Sequence, residues 1–216
     1  MTVALERITE ELTNALLSQV RSQLASEGWF QVEASGRHVH LATDDAKALF
    51  GEDYYLIWSK YLSQPGQFVG EQRMSLVGPK GRLENVVVIG PERTQTQVEI
   101  SLTDALTLGV RPPCRESGEL LDTPSVRLEF GSAWIETRGG LIVAERHVHM
   151  KPETAFALGI KDGDRWDFEI NSSRPLVFKE VKVRVSPEAD NFMHVDYDEA
   201  NAAGLSKGMF GFLRKP

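Results

Sequence analysis

The feature that most restricts the fold of this chain is an internal repeat. The stretch RHVHLATDDAKALFG, which begins at Arg37, aligns without a gap on RHVHMKPETAFALGI, which begins at Arg146. The shared positions extend beyond the first four letters and pair Ala46 with Ala155, Ala48 with Ala157 and Leu49 with Leu158. In both copies a strand that ends in His-x-His precedes, by three or four residues, a helix N-terminus. The repeat predicts a twofold duplication, with two related halves.

Two further segments follow the same order of strand and helix. They are VEISLTDALTLG, from residue 98, and MHVDYDEANAAG, from residue 193. Short β-like runs separated by glycine and proline turns fill most of the chain after Gly28. The pattern predicts an α+β, β-rich fold with two small duplicated β-barrel domains capped by short helices. We expect the first barrel domain to span residues 29–125 and the second residues 126–216.

The sequence of residues 1–28 predicts an amphipathic helix that lies outside both barrels. Leu5, Ile8, Leu12, Leu16 and Val20 recur at spacings of three and four, which places them on one helix face. The stripe favours a helix that packs on its own domain or on a second subunit. The alternative is a detachable segment that docks on a partner.

Charge and composition argue against several functional classes. The net charge of −7 disfavours sequence-independent binding of nucleic acid, which requires a broad basic surface. No apolar run approaches the roughly 18 residues of a membrane span, and the N-terminus lacks the pattern of a secretory signal. Cys114 is the only cysteine, so no intrachain disulfide can form, and the reducing cytoplasm is the expected compartment.

Metal binding is the chemistry that the histidine pattern predicts. Side chains at positions i and i+2 of a strand point to the same face, so His38 and His40 can offer two imidazoles to one ion. The second copy of the repeat offers an equivalent pair, and His194 and Glu99 occupy corresponding strand positions in the two further segments. Zinc is favoured, with iron, nickel and manganese left open. The candidate ligands are His38, His40, Glu99, His147, His149 and His194.

Two other hypotheses fit the same residues. HVHMKPETAFALG matches the spacing His-x-His-x3-Glu-x5-Gly of cupin oxygenases and isomerases, with Glu153 as the carboxylate. Because Glu153 follows Pro152, a place in the first turn of a helix explains it without a metal. A non-catalytic module held together by structural zinc is the other hypothesis.

Arg93 is a candidate for binding an oxyanion. It ends the turn GPER, six residues before Glu99, and its planar guanidinium suits phosphate oxygens. On spacing alone, an ordinary exposed turn arginine is the simpler interpretation.

The motifs as a set resemble the phosphate propanoyltransferase family, the PduL-type phosphotransacylases of bacterial microcompartments. The resemblance covers about Val32 to Asn201, in the same order and with similar spacing. The segments that carry it are RHVHL, LSQPGQF, GPKG, GPERTQTQVEIS, TDALTLG, RESG, IVAERHVHM and HVDYDEANA. Gly36 and Val87 depart from the family, which usually has asparagine and commonly arginine at these positions. The resemblance implies a two-barrel, zinc-dependent enzyme that interconverts acyl-CoA plus phosphate with acyl phosphate plus CoA.

The resemblance also implies roles for individual residues. One zinc ion would bind His38 and His40, and a second would bind Glu99, His147, His149 and His194. Arg93 would hold phosphate, and Ser35, Lys60 and Asn201 would contact CoA.

Substrates, route and partners follow from the same resemblance. Propanoyl-CoA and acetyl-CoA are the expected acyl donors, and direct attack by phosphate is the preferred route. The alternative route uses Cys114 as an acyl-carrying nucleophile. Some family members carry an N-terminal extension that directs them into a microcompartment lumen, a role open to residues 2–26. We expect a homodimer with no nucleic-acid or membrane partner.

Overall fold

A computed structural model of the chain describes residues 2–215, and for residues 2–11 and 14 it describes the backbone only. Within this range the helices are α1 (Thr2–Ser26), α2 (Thr43–Phe50), α3 (Leu102–Leu108), α4 (Pro152–Leu158) and α5 (Tyr197–Ala202). The strands are β1 (Trp29–Ser35), β2 (His38–His40), β3 (Trp58–Tyr61), β4 (Phe68–Val77), β5 (Arg82–Gly90), β6 (Gln97–Glu99), β7 (Cys114–Arg115), β8 (Arg127–Phe130), β9 (Ala133–Glu136), β10 (Leu141–Ala144), β11 (His147–Met150), β12 (Arg165–Ile170), β13 (Leu176–Val185), β14 (Phe192–Asp196) and β15 (Phe210–Arg214).

Local chemistry determines where α3 and α4 begin and end. The Ser101 side chain accepts a hydrogen bond from the Asp104 backbone N–H, and the Asp104 carboxylate accepts one from the Ser101 N–H. Pro152 opens α4, where a missing N–H costs nothing because the first helical turn leaves it unpaired. Both helices end at a glycine in the left-handed conformation, Gly109 and Gly159.

The first compact unit contains a closed six-stranded barrel. It combines three separate segments of the chain. The first ends at Glu33, the second is Arg146–His194, and the third begins at Ala202. The strands follow each other around the barrel in the order β1-β14-β11-β13-β12-β15. Phe30 and Phe168 are fully buried and are among the largest side chains of its core.

The second compact unit contains a nine-stranded sheet. It spans Ala34–Glu145 and adds Val195–Asn201. The strand order is β7-β10-β6-β2-β5-β4-β8-β9, and β3 pairs with β4. Val39, Leu76 and Leu108 are fully buried in its core, which α2 and α3 complete. The strand with the first His-x-His pair therefore lies in the middle of this sheet, between β5 and β6.

The predicted α+β, β-rich class is confirmed. Both copies of the repeat form the predicted strand followed by a helix, as β2–α2 and β11–α4. One unit is a closed barrel, and the other carries the nine-stranded sheet. The strands β8, β9 and β10 pair within the sheet of the second unit, and the domain bounds 29–125 and 126–216 stay a prediction.

The end of α1 is anchored on the first unit, where the helix contacts α4. Ala25 is buried, and the Arg21 guanidinium lies 5.4 Å from the centroid of the Phe192 ring. The described side chains of the predicted apolar stripe are all exposed: Leu12, Leu16 and Val20. The side chains of Leu5 and Ile8 lie outside the described residues. None of the described helices combines the length and apolar content that a bilayer crossing requires.

Candidate functional site

The first histidine cluster lies on β2 of the second unit. The antiparallel register of β2 and β6 places His38 directly opposite Glu99. His38 Nε2 lies 3.5 Å from Glu99 Oε2, and the His38 and His40 ring centroids are 5.0 Å apart. All three side chains are buried, and one ligand atom from each lies within 4.8 Å of the other two. Two imidazoles and a carboxylate at this spacing suit a zinc ion.

Hydrogen bonds define which nitrogen each imidazole offers to a ligand. His38 Nδ1 lies 2.8 Å from the carbonyl oxygen of Gly36, so in the neutral ring Nδ1 carries the proton and Nε2 keeps its lone pair. His40 Nε2 accepts a hydrogen bond of 3.0 Å from Arg93 Nη2, because arginine can only donate. His38 therefore offers Nε2 as a ligand atom, whereas the Nε2 lone pair of His40 is engaged by Arg93 and becomes available to a metal ion only when that hydrogen bond breaks.

The pKa values of these two histidines move in opposite directions. Burial, together with the charges of His38 and Arg93, holds the pKa of His40 well below its usual value. Burial also disfavours protonation of His38, but the charge and hydrogen bond of Glu99 outweigh it and raise the pKa of His38. His40 is therefore neutral at pH 7, whereas Glu99 favours a protonated His38, whose Nε2 proton a divalent cation would displace.

Arg93 reaches the cluster from the turn before β6. Its backbone N–H donates to the Leu41 carbonyl at 2.8 Å, which ties the turn to the end of β2. The half-buried guanidinium contacts His40 through Nη2 and lies 3.3 Å from Ser117 Oγ through Nη1. The structure thus brings Arg93 beside a candidate metal ligand, and its phosphate-binding role stays a prediction.

The second histidine cluster lies in the barrel of the first unit. His147 and His149 are two residues apart on β11, and pairing with β14 places His194 opposite His147. The Nε2 atoms of His147 and His149 are 3.0 Å apart, close to the roughly 3.3 Å between two ligands of one tetrahedral zinc ion. His194 Nε2 is buried without a hydrogen-bond partner in the described part of the chain, and Glu33 Oε2 lies 3.5 Å away. A buried imidazole nitrogen that makes no hydrogen bond and lies next to two others fits a metal ligand.

The electrostatics of this second cluster also favour metal binding. Burial, followed by the charges of His147, His194 and Arg184, lowers the pKa of His149 to about 2. The imidazole of His149 is therefore neutral across the physiological range, which is the form that binds a metal.

Glu99 lies with His38 and His40 in the second unit. The sequence-based prediction assigns it to the metal held by the three histidines of the first unit, and that assignment stays a prediction. Antiparallel pairing of β2 with β6 places Glu99 opposite His38. The spacing of residues along the chain does not indicate which residues two paired strands bring together.

Glu153, the carboxylate of the cupin hypothesis, is exposed in the first turn of α4. It belongs to neither of the metal-type clusters formed by the described residues. Its position at a helix start accounts for it, so the cupin hypothesis loses its carboxylate ligand.

The three predicted CoA contacts lie on different elements of the second unit. Ser35 ends β1, Lys60 is exposed on β3, and Asn201 is exposed in α5. Cys114, the nucleophile of the alternative route, is exposed on the two-residue strand β7. The roles of these four residues stay predictions.

The sequence patterns assign no role to two polar residues near Glu99, Gln97 and Ser117. Gln97 Nε2 donates to Glu99 Oε1 at 2.5 Å and to Ser117 Oγ at 2.8 Å. The period of two that pairs the histidines also places Gln97 on the face of Glu99, so the sequence contained a signal for it. Ser117 lies in a loop, and its contact with Gln97 has no local signature.

The repeated arginines have different structural roles. Arg37 binds both carboxylate oxygens of Asp104, at 3.1 and 2.9 Å, and Asp104 in turn caps α3. Arg146 donates to the Lys179 carbonyl at 2.9 Å and lies 5.4 Å from the centroid of the Phe178 ring. Each arginine fixes the start of a His-x-His strand through its own set of partners.

The ring of Tyr197 explains why glycine occupies position 36. A Cβ atom added at Gly36 would lie 2.9 Å from Tyr197 Cζ. An asparagine at position 36 would therefore have to displace the ring.

We expect Gly36→Asn to lower the melting temperature by roughly 3 °C, equivalent to about 1 kcal/mol, because the half-exposed ring must move. In a Tyr197→Ala background the same substitution should be close to neutral. Thermal unfolding of the four proteins measures both effects. An equal loss in the two backgrounds would contradict the steric explanation.

The fold and site together define a β-rich protein with two histidine clusters suited to metal ions and an arginine beside one of them. The chain belongs to the phosphate propanoyltransferase family, whose model matches residues 31–206. It is 48% identical over 204 residues to the phosphate propanoyltransferase of Enterococcus faecalis, with 94% of this chain and 97% of the relative covered. The relative from Clostridioides difficile is 46% identical over 199 residues, covering 92% of this chain and 95% of its own length. The relative from Listeria monocytogenes is 45% identical over 208 residues, covering 96% and 98%. The resemblance inferred from the motifs is confirmed, and the enzyme class is that of an acyltransferase.

Proposed function

We propose that this chain transfers an acyl group, propanoyl or acetyl, between CoA and phosphate. The observation that carries the proposal is the position of Arg93, within hydrogen-bonding distance of His40 in a metal-type cluster. Arginine is permanently charged and presents a fork of donors that matches phosphate oxygens. The name of these relatives also specifies phosphate and a propanoyl group.

Zinc, with two ions per chain, is the cofactor in this proposal. Each cluster offers three nitrogen or oxygen ligands, the number that catalytic zinc sites take from the protein. The absence of a hydrogen bond to His194 Nε2 within the described residues and the neutral state of His149 both favour such a ligand set. Zinc held by these residues would supply Lewis-acid chemistry that polarises a thioester carbonyl or stabilises a departing thiolate.

Arg93 contributes positioning to the reaction. Its guanidinium binds two phosphate oxygens and directs a third at the thioester carbonyl carbon. The new carbon–oxygen bond forms as the carbon–sulfur bond breaks, and the CoA sulfur leaves with the bonding electron pair. Because the pKa of His40 is held low, Arg93 faces a neutral imidazole and its charge stays available to the anion.

Direct attack by phosphate is the favoured route. The five histidines of the chain all lie in the two clusters, which leaves none as a general base for Cys114. Phosphate is itself a nucleophile at neutral pH and requires orientation more than activation.

The remaining partners belong to the same proposal. Ser35, Lys60 and Asn201 contact CoA, as the family resemblance implies. The exposed side chains of Leu12, Leu16 and Val20 give α1 an apolar face for a second copy of the chain or for a microcompartment partner. The enzyme acts as a homodimer in the cytoplasm, inside a microcompartment lumen.

Arg93→Ala tests the proposal. We expect the KM for phosphate in CoA release to rise about 10- to 100-fold, because charge-assisted hydrogen bonds worth roughly 1.5–3 kcal/mol are lost. The KM for acyl-CoA should stay close to the wild-type value. Steady-state kinetics with each substrate varied in turn measures both constants.

Arg111→Ala is the matched control, since Arg111 is an exposed arginine of the same unit. It should leave both constants unchanged. Wild-type phosphate kinetics in Arg93→Ala would remove the proposed role of Arg93, and a cupin-type enzyme would show that tolerance.

A further inference from the structure

Gln97 is fully buried, and hydrogen bonds hold both ends of its side-chain amide. Its Nε2 donates to Glu99 Oε1 at 2.5 Å and to Ser117 Oγ at 2.8 Å. Its Oε1 accepts from the Gly118 backbone N–H at 2.9 Å. A buried glutamine with this many partners has one orientation available to it.

The Gly118 N–H determines which way the amide points. A backbone N–H can only donate, so the oxygen of Gln97 must face Gly118, and the NH2 group must face Glu99. This orientation presents a donor to the carboxylate oxygen Oε1, while the other oxygen, Oε2, faces His38. Gln97 thereby fixes the rotation of a candidate metal ligand.

The hydrogen bonds of Gln97 extend through Ser117 to Arg93, the arginine proposed to bind phosphate. Ser117 Oγ accepts from Gln97 Nε2 and lies 3.3 Å from Arg93 Nη1. One serine hydroxyl thus connects the amide that holds Glu99 with the guanidinium that contacts His40. A shift of Gln97 would change the surroundings of both the metal ligand and the arginine.

We propose that Gln97 is a positioning residue that acts on two parts of the site, on Glu99 directly and on Arg93 through Ser117. Gln97 neither binds the metal nor touches the substrate. The phosphate part rests on the proposed function, whereas the metal part depends only on the Glu99 cluster. A glutamate at position 97 could not replace it, because a second carboxylate would repel Glu99 and lack the donor.

Zinc affinity and phosphate KM separate this role from simple core packing. Gln97→Met keeps the length and burial of the side chain and removes its hydrogen bonds. We expect chelator-competition titration to show one of two zinc sites weakened about 10- to 100-fold and the other unchanged, as for other residues that orient metal ligands. The KM for phosphate should also rise.

Ser117→Ala separates the two arms of the network. It leaves the Gln97–Glu99 hydrogen bond in place and removes the connection to Arg93. We expect a raised KM for phosphate with both zinc affinities unchanged. Gln95→Met is the control, because Gln95 is exposed two residues before Gln97 and should leave every value at the wild-type level.

Two outcomes would overturn the proposal. One is a Gln97→Met protein that binds zinc and phosphate as the wild type does. The other is equal weakening of both zinc sites together with a lowered melting temperature, which indicates a structural role alone. If the wild-type protein releases no CoA with phosphate, the proposed function fails, and the zinc titration still decides the metal part.

Discussion

Replacing His40 by alanine is expected to reduce phosphate-dependent CoA release by about a thousandfold or more. The substitution removes one of three candidate ligands from the cluster of the second unit. The charge stabilisation that a metal ion supplies amounts to several kcal/mol, and each 1.36 kcal/mol is about a tenfold change in rate. Metal analysis should show about one zinc ion fewer per chain, and activity assays should show the loss of rate.

The protein should remain folded after this change, because the hydrophobic core of the second unit does not depend on His40. Circular dichroism and thermal unfolding report on that point. Thr94→Ala, an exposed residue of the neighbouring turn, is the control and should retain full activity and zinc content. A His40→Ala protein that unfolds would instead support a structural zinc module, and one with normal activity would remove His40 from the site.

Arg37→Met is expected to destabilise the protein by about 2–3 kcal/mol, the largest stability effect that we predict. The substitution leaves the buried carboxylate of Asp104 without its bidentate partner. Breaking a buried ion pair costs about 3–5 kcal/mol, and the partial exposure of Arg37 reduces that figure. Urea unfolding curves measure the difference in free energy of unfolding.

Arg146→Met is the matched control, since Arg146 occupies the same place in the second copy of the repeat. Losing its hydrogen bond to the Lys179 carbonyl should cost about 1 kcal/mol, less than leaving the buried Asp104 carboxylate without its partner. If the two substitutions lower the free energy of unfolding equally, the ion pair with Asp104 does not account for the effect of Arg37→Met.

The strand-and-helix unit of the repeat could be predicted because its rules are local. Side chains alternate strictly along a strand, so two histidines two residues apart share a face wherever the strand lies. The starts of α3 and α4 follow from a serine–aspartate capping box and from a proline, both visible in the sequence. The contact of Arg93 with His40 did not follow from the sequence, because it depends on how the turn before β6 packs against the end of β2, more than fifty residues away along the chain.

The parts of the fold that could not be predicted depend on pairing between distant strands. β8 pairs with β4, about fifty residues earlier, and β10 pairs with β6. Nothing in RLEF or LIVA indicates those partners, because pairing between strands so far apart in the chain leaves no local pattern. The contact of Ser117 with Gln97 is of the same kind, since a loop brings together residues that share no period.

Phosphorus NMR of the zinc-loaded protein with propanoyl-CoA and inorganic phosphate tests whether the protein transfers the acyl group from CoA to phosphate. We predict that an acyl phosphate resonance grows in step with the release of free CoA, and that CoA release stops when phosphate is omitted. CoA release that proceeds equally without phosphate would indicate a hydrolase and contradict the account. The absence of any acyl phosphate from protein with both metal sites filled would contradict it as well.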